Sequence, residues 1–181
     1  MLNQRHISDG DKDAAPDRLD EYRFYQILLG MWPLDPADVN DTLRERLREH
    51  LRKAVAEAKR PTSPVHPNEH YLSACDRFVG RTTSPESAGE FLADFTPCAH
   101  RIAQLGMVNS LTQLVLKCTV PGIPDFYQGN EIWDFSLVDP DNRRSVDYEI
   151  RHRLLADGTG RPSAELMEQW RDGRVKLRVM Q

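Results

Sequence analysis

The sequence predicts a mainly α protein, in which a helical bundle carries one irregular loop rich in proline and glycine and there are few or no strands. Two observations favour this class. Apolar residues recur three or four positions apart in most segments from residue 17 to residue 170. Between residues 119 and 148, Pro121, Pro124 and Pro140 rule out a continuous helix. We therefore expect helices on both sides of an irregular segment.

Length and charge exclude several classes of protein. The chain has 181 residues, which can bury a core but cannot form a complete (β/α)₈ barrel of about 250 residues. A net charge of −4 argues against nucleic acid as a partner. No apolar run approaches the length of a membrane span, and the first residues lack the apolar stretch of a signal peptide. We expect no membrane partner and a cytoplasmic location.

The N-terminal part of the chain predicts two helices. Residues 1–15 are polar and are expected to be mobile, and residues 16–181 are expected to form one helical domain. The first helix should begin after Asp17, a candidate N-cap, and run to Trp32, because proline follows. A long amphipathic helix should cover about residues 41–59. Its apolar stripe consists of Leu43, Leu47, Leu51, Val55 and Ala58.

Three more helices complete the helical part at 16–118. We expect the last of them to be the most buried. Asn68 can cap a short helix that Gly80 ends, and Ser84 followed by proline starts another. From Cys98 to about Thr119 the sequence is apolar on more than one face, which predicts burial all round. We accordingly expect the three cysteines, which are widely spaced, to be free buried thiols.

The loop at 119–148 precedes C-terminal helices at 149–181. Asp147 can cap a helix that runs to Leu155, and another should run from Ser163 to Trp170. The loop is too rich in aromatic residues for a solvated linker. Rings offer flat apolar faces, and carboxylates, amides and guanidiniums can satisfy hydroxyl groups, so the loop has the composition of a sugar-binding surface.

Four segments of the chain resemble one enzyme family. Residues 121–134 (PGIPDFYQGNEIWD) and 139–148 (DPDNRRSVDY) resemble the maltooligosyl trehalose synthases of the α-amylase superfamily, glycoside hydrolase family 13. Residues 20–33 (DEYRFYQILLGMWP) are similar to a further segment of that family, and residues 60–63 (RPTS) with 67–68 (PN) are similar to another. The resemblance implies that the chain corresponds to the C-terminal portion of such an enzyme, around and after the last barrel strand near Thr119.

The resemblance also implies an activity that the chain is not expected to perform alone. The complete enzymes are isomerases that convert the reducing-end α-1,4 linkage of a maltooligosaccharide into an α,α-1,1 trehalose linkage by retaining intramolecular transglycosylation. Their three catalytic acids lie on earlier barrel strands, and we find no counterpart in this chain. Leu19, Pro64 and Leu72 replace groups that could contact sugar in the family. No catalytic residue is therefore assigned here.

Six residues are candidates for substrate contact in the complete enzyme. They are Tyr127, Gln128, Glu131, Asp141, Asn142 and Arg143. Other interpretations stay open: Tyr127 can be a core residue, and the acids of the loop can cap turns and pair with Arg143 and Arg144.

We expect no metal site and no cofactor. His66 and His70 are four residues apart, but Pro67 and Asn68 lie between them and no second pair matches. The expected partners are a maltooligosaccharide or glucan and a separate catalytic barrel chain. The alternative hypothesis is a non-catalytic helical module that binds glucan or protein.

Overall fold

The computed structural model describes residues 15–60 and 62–181. Within these residues the chain is helical and contains no strand, which confirms the mainly α prediction. Short 3₁₀ turns lie at Pro36–Asp38, Asp141–Arg143 and Trp170–Asp172. The helices are α1 (Arg18–Met31), α2 (Asp41–Glu57), α3 (Glu69–Thr82), α4 (Pro85–Thr119), α5 (Tyr148–Gly158), α6 (Ser163–Glu168) and α7 (Arg174–Met180). None of these helices is both long enough and apolar enough to cross a membrane.

The chain divides into two compact units, which are described separately below. The first unit extends to His100 and includes Leu137–Asn142, and the second contains Arg101–Ser136 and Arg143–Gln181. The single helical domain that we predicted for residues 16–181 stays a prediction.

Side-chain caps begin the first three helices, and two of them, Asp17 and Asn68, were predicted. The Asp17 carboxylate accepts hydrogen bonds from the N–H groups of Leu19 and Asp20 at 2.9 and 2.8 Å, so α1 begins where expected. Asn40 and Asn68 cap α2 and α3 in the same way, by accepting from backbone N–H groups three residues on. These caps satisfy N–H groups that the first turn of a helix leaves without partners.

The core of the first unit lies among α1, α2 and α3. The stripe predicted on α2 is buried, from Leu43 to Val55. Phe24 of α1 and Phe78 of α3 are fully or almost fully buried and meet edge to face, with ring centroids 5.1 Å apart. Each large apolar side chain buried here contributes about 1.5–3 kcal/mol. The α2 and α3 helices run antiparallel, since Arg44 bonds to Thr83 and Arg52 bonds to Asp76.

The α4 helix differs from the prediction in continuity and in burial. It is one 35-residue element with Pro97 inside it and a non-helical backbone at Ala88, where we expected two separate helices. Its C-terminal half is not the most buried helix of the chain. Apolar side chains along that half are exposed, namely Ile102, Leu105, Val108, Val115 and Leu116. Cys98 and Cys118 are exposed as well, so only Cys75 is the buried free thiol that we predicted.

The second unit gathers short helices around α7. Leu154, Leu166 and Val175, from α5, α6 and α7, are buried. The Trp133 indole N–H donates to the Trp170 carbonyl at 2.5 Å, which joins the loop to the C-terminal helices.

The turn at Gly173 lies against the same loop. This glycine has a φ of +85°, and a Cβ atom there would lie 2.6 Å from the Ile132 Cβ. Only glycine fits, because the backbone is left-handed and the space is filled.

Candidate functional site

The part of the loop that lies in the second unit is organised by one ion pair. Arg151 Nε donates to Glu131 Oε2 at 2.8 Å, and Arg151 Nη2 donates to the Gly129 carbonyl at 2.5 Å. The Gly129 N–H donates back to Glu131 Oε2 at 3.0 Å, with φ at Gly129 of +95°. Three residues therefore close a ring of hydrogen bonds around a left-handed turn. This arrangement fixes the backbone that carries Tyr127 and Gln128.

The electrostatics of this ring keep Glu131 ionised. Burial alone raises the pKa of the Glu131 carboxyl, but hydrogen bonds from Arg151 and from the backbone outweigh burial, and the pKa lies below its usual range. A general acid needs the opposite shift. Glu131 is therefore suited to accepting hydrogen bonds and unsuited to delivering a proton.

Tyr127 and Gln128 take different positions beside this ring. Tyr127 is 71% exposed, so it is not the core residue that one interpretation allowed. The Gln128 side-chain oxygen accepts from the Tyr148 hydroxyl at 2.7 Å. The loop thus presents one open aromatic face next to an amide whose orientation a hydrogen bond fixes, which is a chemistry suited to a sugar ring and its hydroxyl groups.

Asp141 occupies a different setting, in the first unit. Its side chain receives a bidentate pair from Arg46 of α2, with Nε to Oδ1 at 2.6 Å and Nη2 to Oδ2 at 2.9 Å. The Leu137 N–H also donates to Oδ2, at 2.7 Å. Asp141 is only 6% exposed, and these bonds attach the Leu137–Asn142 part of the loop to α2.

Neighbouring contacts continue this attachment of the segment to α2. Lys53 donates to the Asp139 carbonyl at 2.8 Å and to its carboxylate at 2.9 Å. Arg46 and Lys53 are seven residues apart and so lie on one side of α2. Asn142 and Arg143 continue the 3₁₀ turn from Asp141 and are exposed.

The six predicted residues fall in both units. Gln128 and Glu131 come together around the turn at Gly129, and Tyr127 precedes them, in the second unit, where Arg143 also lies. Asp141 and Asn142 belong to the first unit. Whether any of them contacts a sugar stays a prediction.

One buried network was not singled out from the sequence. Asp20 is fully buried, and its carboxylate accepts from the Tyr71 hydroxyl at 2.7 Å, from Arg23 at 2.5 Å and from Arg60 at 3.2 Å. Burial and the bond to Asp20 raise the Tyr71 pKa, although the Asp17 N–H opposes them. A signal was available, because Asp20 stands four residues before Phe24 on the apolar side of α1.

Metal ligation finds no support in the described ranges. Among residues 15–60 and 62–181, no group of three or more histidine, cysteine, aspartate or glutamate side chains is arranged to hold an ion. His66 and His70, the pair considered from the sequence, belong to no such group.

Comparison with known proteins shows that this chain is similar to members of one enzyme family. The chain is 36% identical over 141 residues to a Mycobacterium tuberculosis protein assigned as a maltooligosyl trehalose synthase, a match that covers 78% of this chain and 18% of the relative. A crystal structure of maltooligosyl trehalose synthase superposes with a TM-score of 0.79 and 36% identity, covering 88% of this chain and 21% of that one. The structure of a Sulfolobus tokodaii protein described as a hypothetical maltooligosyl trehalose synthase superposes with a TM-score of 0.73 and 34% sequence identity. That match covers 88% of this chain and 20% of the other.

These matches confirm the resemblance seen in the sequence. The chain is similar in sequence and in fold to a segment of maltooligosyl trehalose synthases, and it spans about a fifth of the length of the relatives it matches. No protein-family model matches the chain.

Proposed function

We propose that the chain supplies a non-catalytic helical segment of a maltooligosyl trehalose synthase, corresponding to the C-terminal part of that enzyme. The observation that carries the proposal is the similarity over 78% of this chain to 18% of a relative. In the complete enzyme, the reaction would rebuild a reducing-end α-1,4 linkage as an α,α-1,1 linkage. The chain alone would not catalyse this step.

The chemistry of the loop supports the absence of catalysis by this chain. Retaining glycoside chemistry needs two carboxyl groups about 5–5.5 Å apart, one of them with a raised pKa. The Glu131 pKa is lowered, and Asp141 is occupied by Arg46 in a buried pair. Both settings favour the ionised carboxylate, whereas a general acid must be protonated. These carboxylates instead suit the shaping of a binding surface.

The exposed face of α4 supports a role beside a larger catalytic part. Apolar side chains that remain in water cost the chain the stabilisation that burial would give, and large exposed apolar patches mark interaction surfaces. We infer that the barrel of the complete enzyme covers this face, either from the same polypeptide or from a separate catalytic chain. The face, named here the α4 face, consists of Ile102, Leu105, Val108, Val115 and Leu116.

The same proposal assigns roles to the six candidate residues. Tyr127 would offer its exposed ring to a sugar face, and Gln128 and Glu131 would accept hydrogen bonds from hydroxyl groups beside it. Asn142 and Arg143 would supply further polar contacts, and Asp141, held by Arg46, would position them. The substrate would be a maltooligosaccharide, and a cytoplasmic location remains our expectation.

A sugar titration with a matched control tests the binding part of the proposal. We would titrate the chain with maltopentaose and follow backbone amide and tryptophan side-chain signals by NMR. The expected result is saturable shifts near Tyr127 and Trp133 that the Tyr127→Ala variant weakens at least fivefold. Tyr22→Ala removes another exposed tyrosine, on α1, and should have no effect.

Three results would contradict this assignment. Equal weakening by both tyrosine variants would show that the shifts do not report a site at the loop. Release or rearrangement of reducing ends by the purified chain would contradict the non-catalytic role directly. An absence of shifts at millimolar sugar would remove the six residues as contacts and leave a purely structural segment.

A further inference from the structure

An arginine-lined depression lies on the first unit, on the side where α2 and α3 run antiparallel. Its volume is about 830 Å³. The residues that line it are Glu45, Arg48, Arg52, Asp76, Arg77, Gly80 and Arg81. All belong to two helices that pack directly on each other, so the depression is part of one compact body.

Helix geometry explains why the arginines converge. Arg48 and Arg52 are four residues apart on α2, and Arg77 and Arg81 are four residues apart on α3. Residues at this spacing lie on the same face of a helix. The bond between Arg52 and Asp76 brings these two faces together. Two pairs of guanidinium groups therefore face a common space.

The charges in this space do not cancel. Arg52 makes a bidentate pair with Asp76, with Nε to Oδ1 at 2.9 Å, and Arg48 pairs with Glu45 at 3.1 Å. Arg77 and Arg81 are exposed, and their guanidinium groups have no hydrogen-bond or ion-pair partner in the part of the chain that the structure describes. Four arginines thus stand against two carboxylates in a chain whose net charge is −4.

Gly80 lines the depression next to Arg48. A Cβ atom at this position would lie 3.5 Å from Nη2 of Arg48, so the guanidinium lies over the glycine. A larger side chain here would occupy the space between the two arginine pairs. A side chain at this position would therefore contact Arg48, and glycine avoids that contact.

We propose that this depression binds a small phosphate-bearing anion, such as a phosphorylated metabolite. A guanidinium group presents several N–H donors in a planar fork that matches phosphate oxygens, and it stays charged at all physiological pH values. Arg77 and Arg81 supply the free forks. Arg52, held by Asp76, and Arg48, held by Glu45, form the opposite wall. The site is separate from the loop to which sugar contact was assigned.

Inorganic pyrophosphate is the probe for this site. We would titrate the full chain with pyrophosphate at constant ionic strength and follow amide signals by NMR. The expected result is saturable shifts confined to α2 and α3. The Arg77→Gln, Arg81→Gln double variant should weaken binding about tenfold or more, because each lost group removes charge-assisted hydrogen bonds. Within residues 15–60 and 62–181 neither side chain has a hydrogen-bond or ion-pair partner, so the variant should keep the thermal stability of the parent.

A charge-matched control separates a site from general attraction. The Arg101→Gln, Arg153→Gln double variant removes the same charge from exposed arginines outside the depression. It should change pyrophosphate affinity less than about twofold, because neither side chain lines the depression. Absence of saturable shifts, shifts spread over the whole chain, or equal weakening by the two double variants would overturn the proposal.

Discussion

Arg46 and Asp141, which are 95 residues apart in the sequence, form a bidentate ion pair that attaches the Leu137–Asn142 part of the loop to α2. The carboxylate side chain is 3% exposed and the guanidinium side chain is 18% exposed. The pair thus lies largely out of water. The pair therefore links a segment rich in turn residues to a helix of the core.

Removal of Arg46 should destabilise the first unit. Arg46→Leu leaves the buried Asp141 carboxylate without its cation, which should lower the free energy of unfolding by about 3 kcal/mol. Arg48→Leu, which breaks the more exposed pair with Glu45, should cost about 1 kcal/mol or less. Urea unfolding followed by circular dichroism measures both values.

A double-mutant cycle shows whether the Arg46 effect passes through Asp141. Asp141→Asn removes the charge but keeps an oxygen for the Leu137 N–H. In that background, Arg46→Leu should cost about 1 kcal/mol, so that the coupling energy is about 2 kcal/mol. Additive effects of the two changes would contradict a direct interaction.

The Glu131 carboxylate should make stability depend on pH in the acid range. Its folded-state pKa is lowered, so the unfolded chain takes up the proton first as pH falls. The stabilisation is therefore present above about pH 4.5 and is lost as pH falls through the folded-state pKa. Thermal unfolding of the parent and of Glu131→Gln from pH 7 to pH 3 should show a difference at neutral pH that shrinks below pH 4.5. A difference that stays constant over this range would contradict the assignment.

Two glycines with similar backbones should respond differently to alanine. Gly173 has a φ of +85°, and an added Cβ would lie 2.7 Å from the Trp133 nitrogen. Gly160 has a φ of +78° but nothing within 4 Å. Gly160→Ala should therefore cost only backbone strain, about 1 kcal/mol, and Gly173→Ala should cost clearly more because atoms also overlap. Equal losses in chemical unfolding would show that the loop does not lie against Gly173.

The three cysteines should separate by reactivity. Burial raises the pKa of the Cys75 thiol to about 12, and nearby carboxylates add to the shift, whereas Cys98 and Cys118 are exposed. Only the thiolate reacts, so at pH 8 Cys75 should be modified by a thiol reagent at least about a hundredfold more slowly. The Cys98→Ala, Cys118→Ala variant reports Cys75 alone. Rapid labelling of that variant in its folded state would contradict the burial of Cys75.

Local signals predicted the helical part of the fold well. Asp17 and Asn68 were predicted as caps, and both accept the expected backbone hydrogen bonds, because capping depends on residues a few positions apart. Four of the five residues of the stripe predicted on α2 are buried, and the fifth, Ala58, is the C-cap and is only partly buried. Boundaries beyond the caps were less exact: α3 continues to Thr82, past the glycine that was expected to end it.

The exposure of the C-terminal half of α4 could not be predicted from its sequence. Apolar residues on several faces indicate that a helix is covered, but they do not say which polypeptide or segment covers it. Leu105 and Val108 are exposed in the part of the chain that the structure describes. The hydrogen bond between Asp20 and Tyr71 could not be predicted for another reason. The two residues are 51 positions apart, and residue spacing does not predict contacts at that separation.

The central claim, that this chain is a working but non-catalytic segment of a maltooligosyl trehalose synthase, is tested most directly by exchange. The matched 141 residues of the Mycobacterium tuberculosis relative would be replaced by those of this chain, and maltopentaose would be assayed for loss of reducing ends without release of glucose. We predict that the folded chimera is active. We also predict that this chain alone is inactive, and that the relative without the matched segment is inactive. A folded but inactive chimera, or an active isolated chain, would contradict the account.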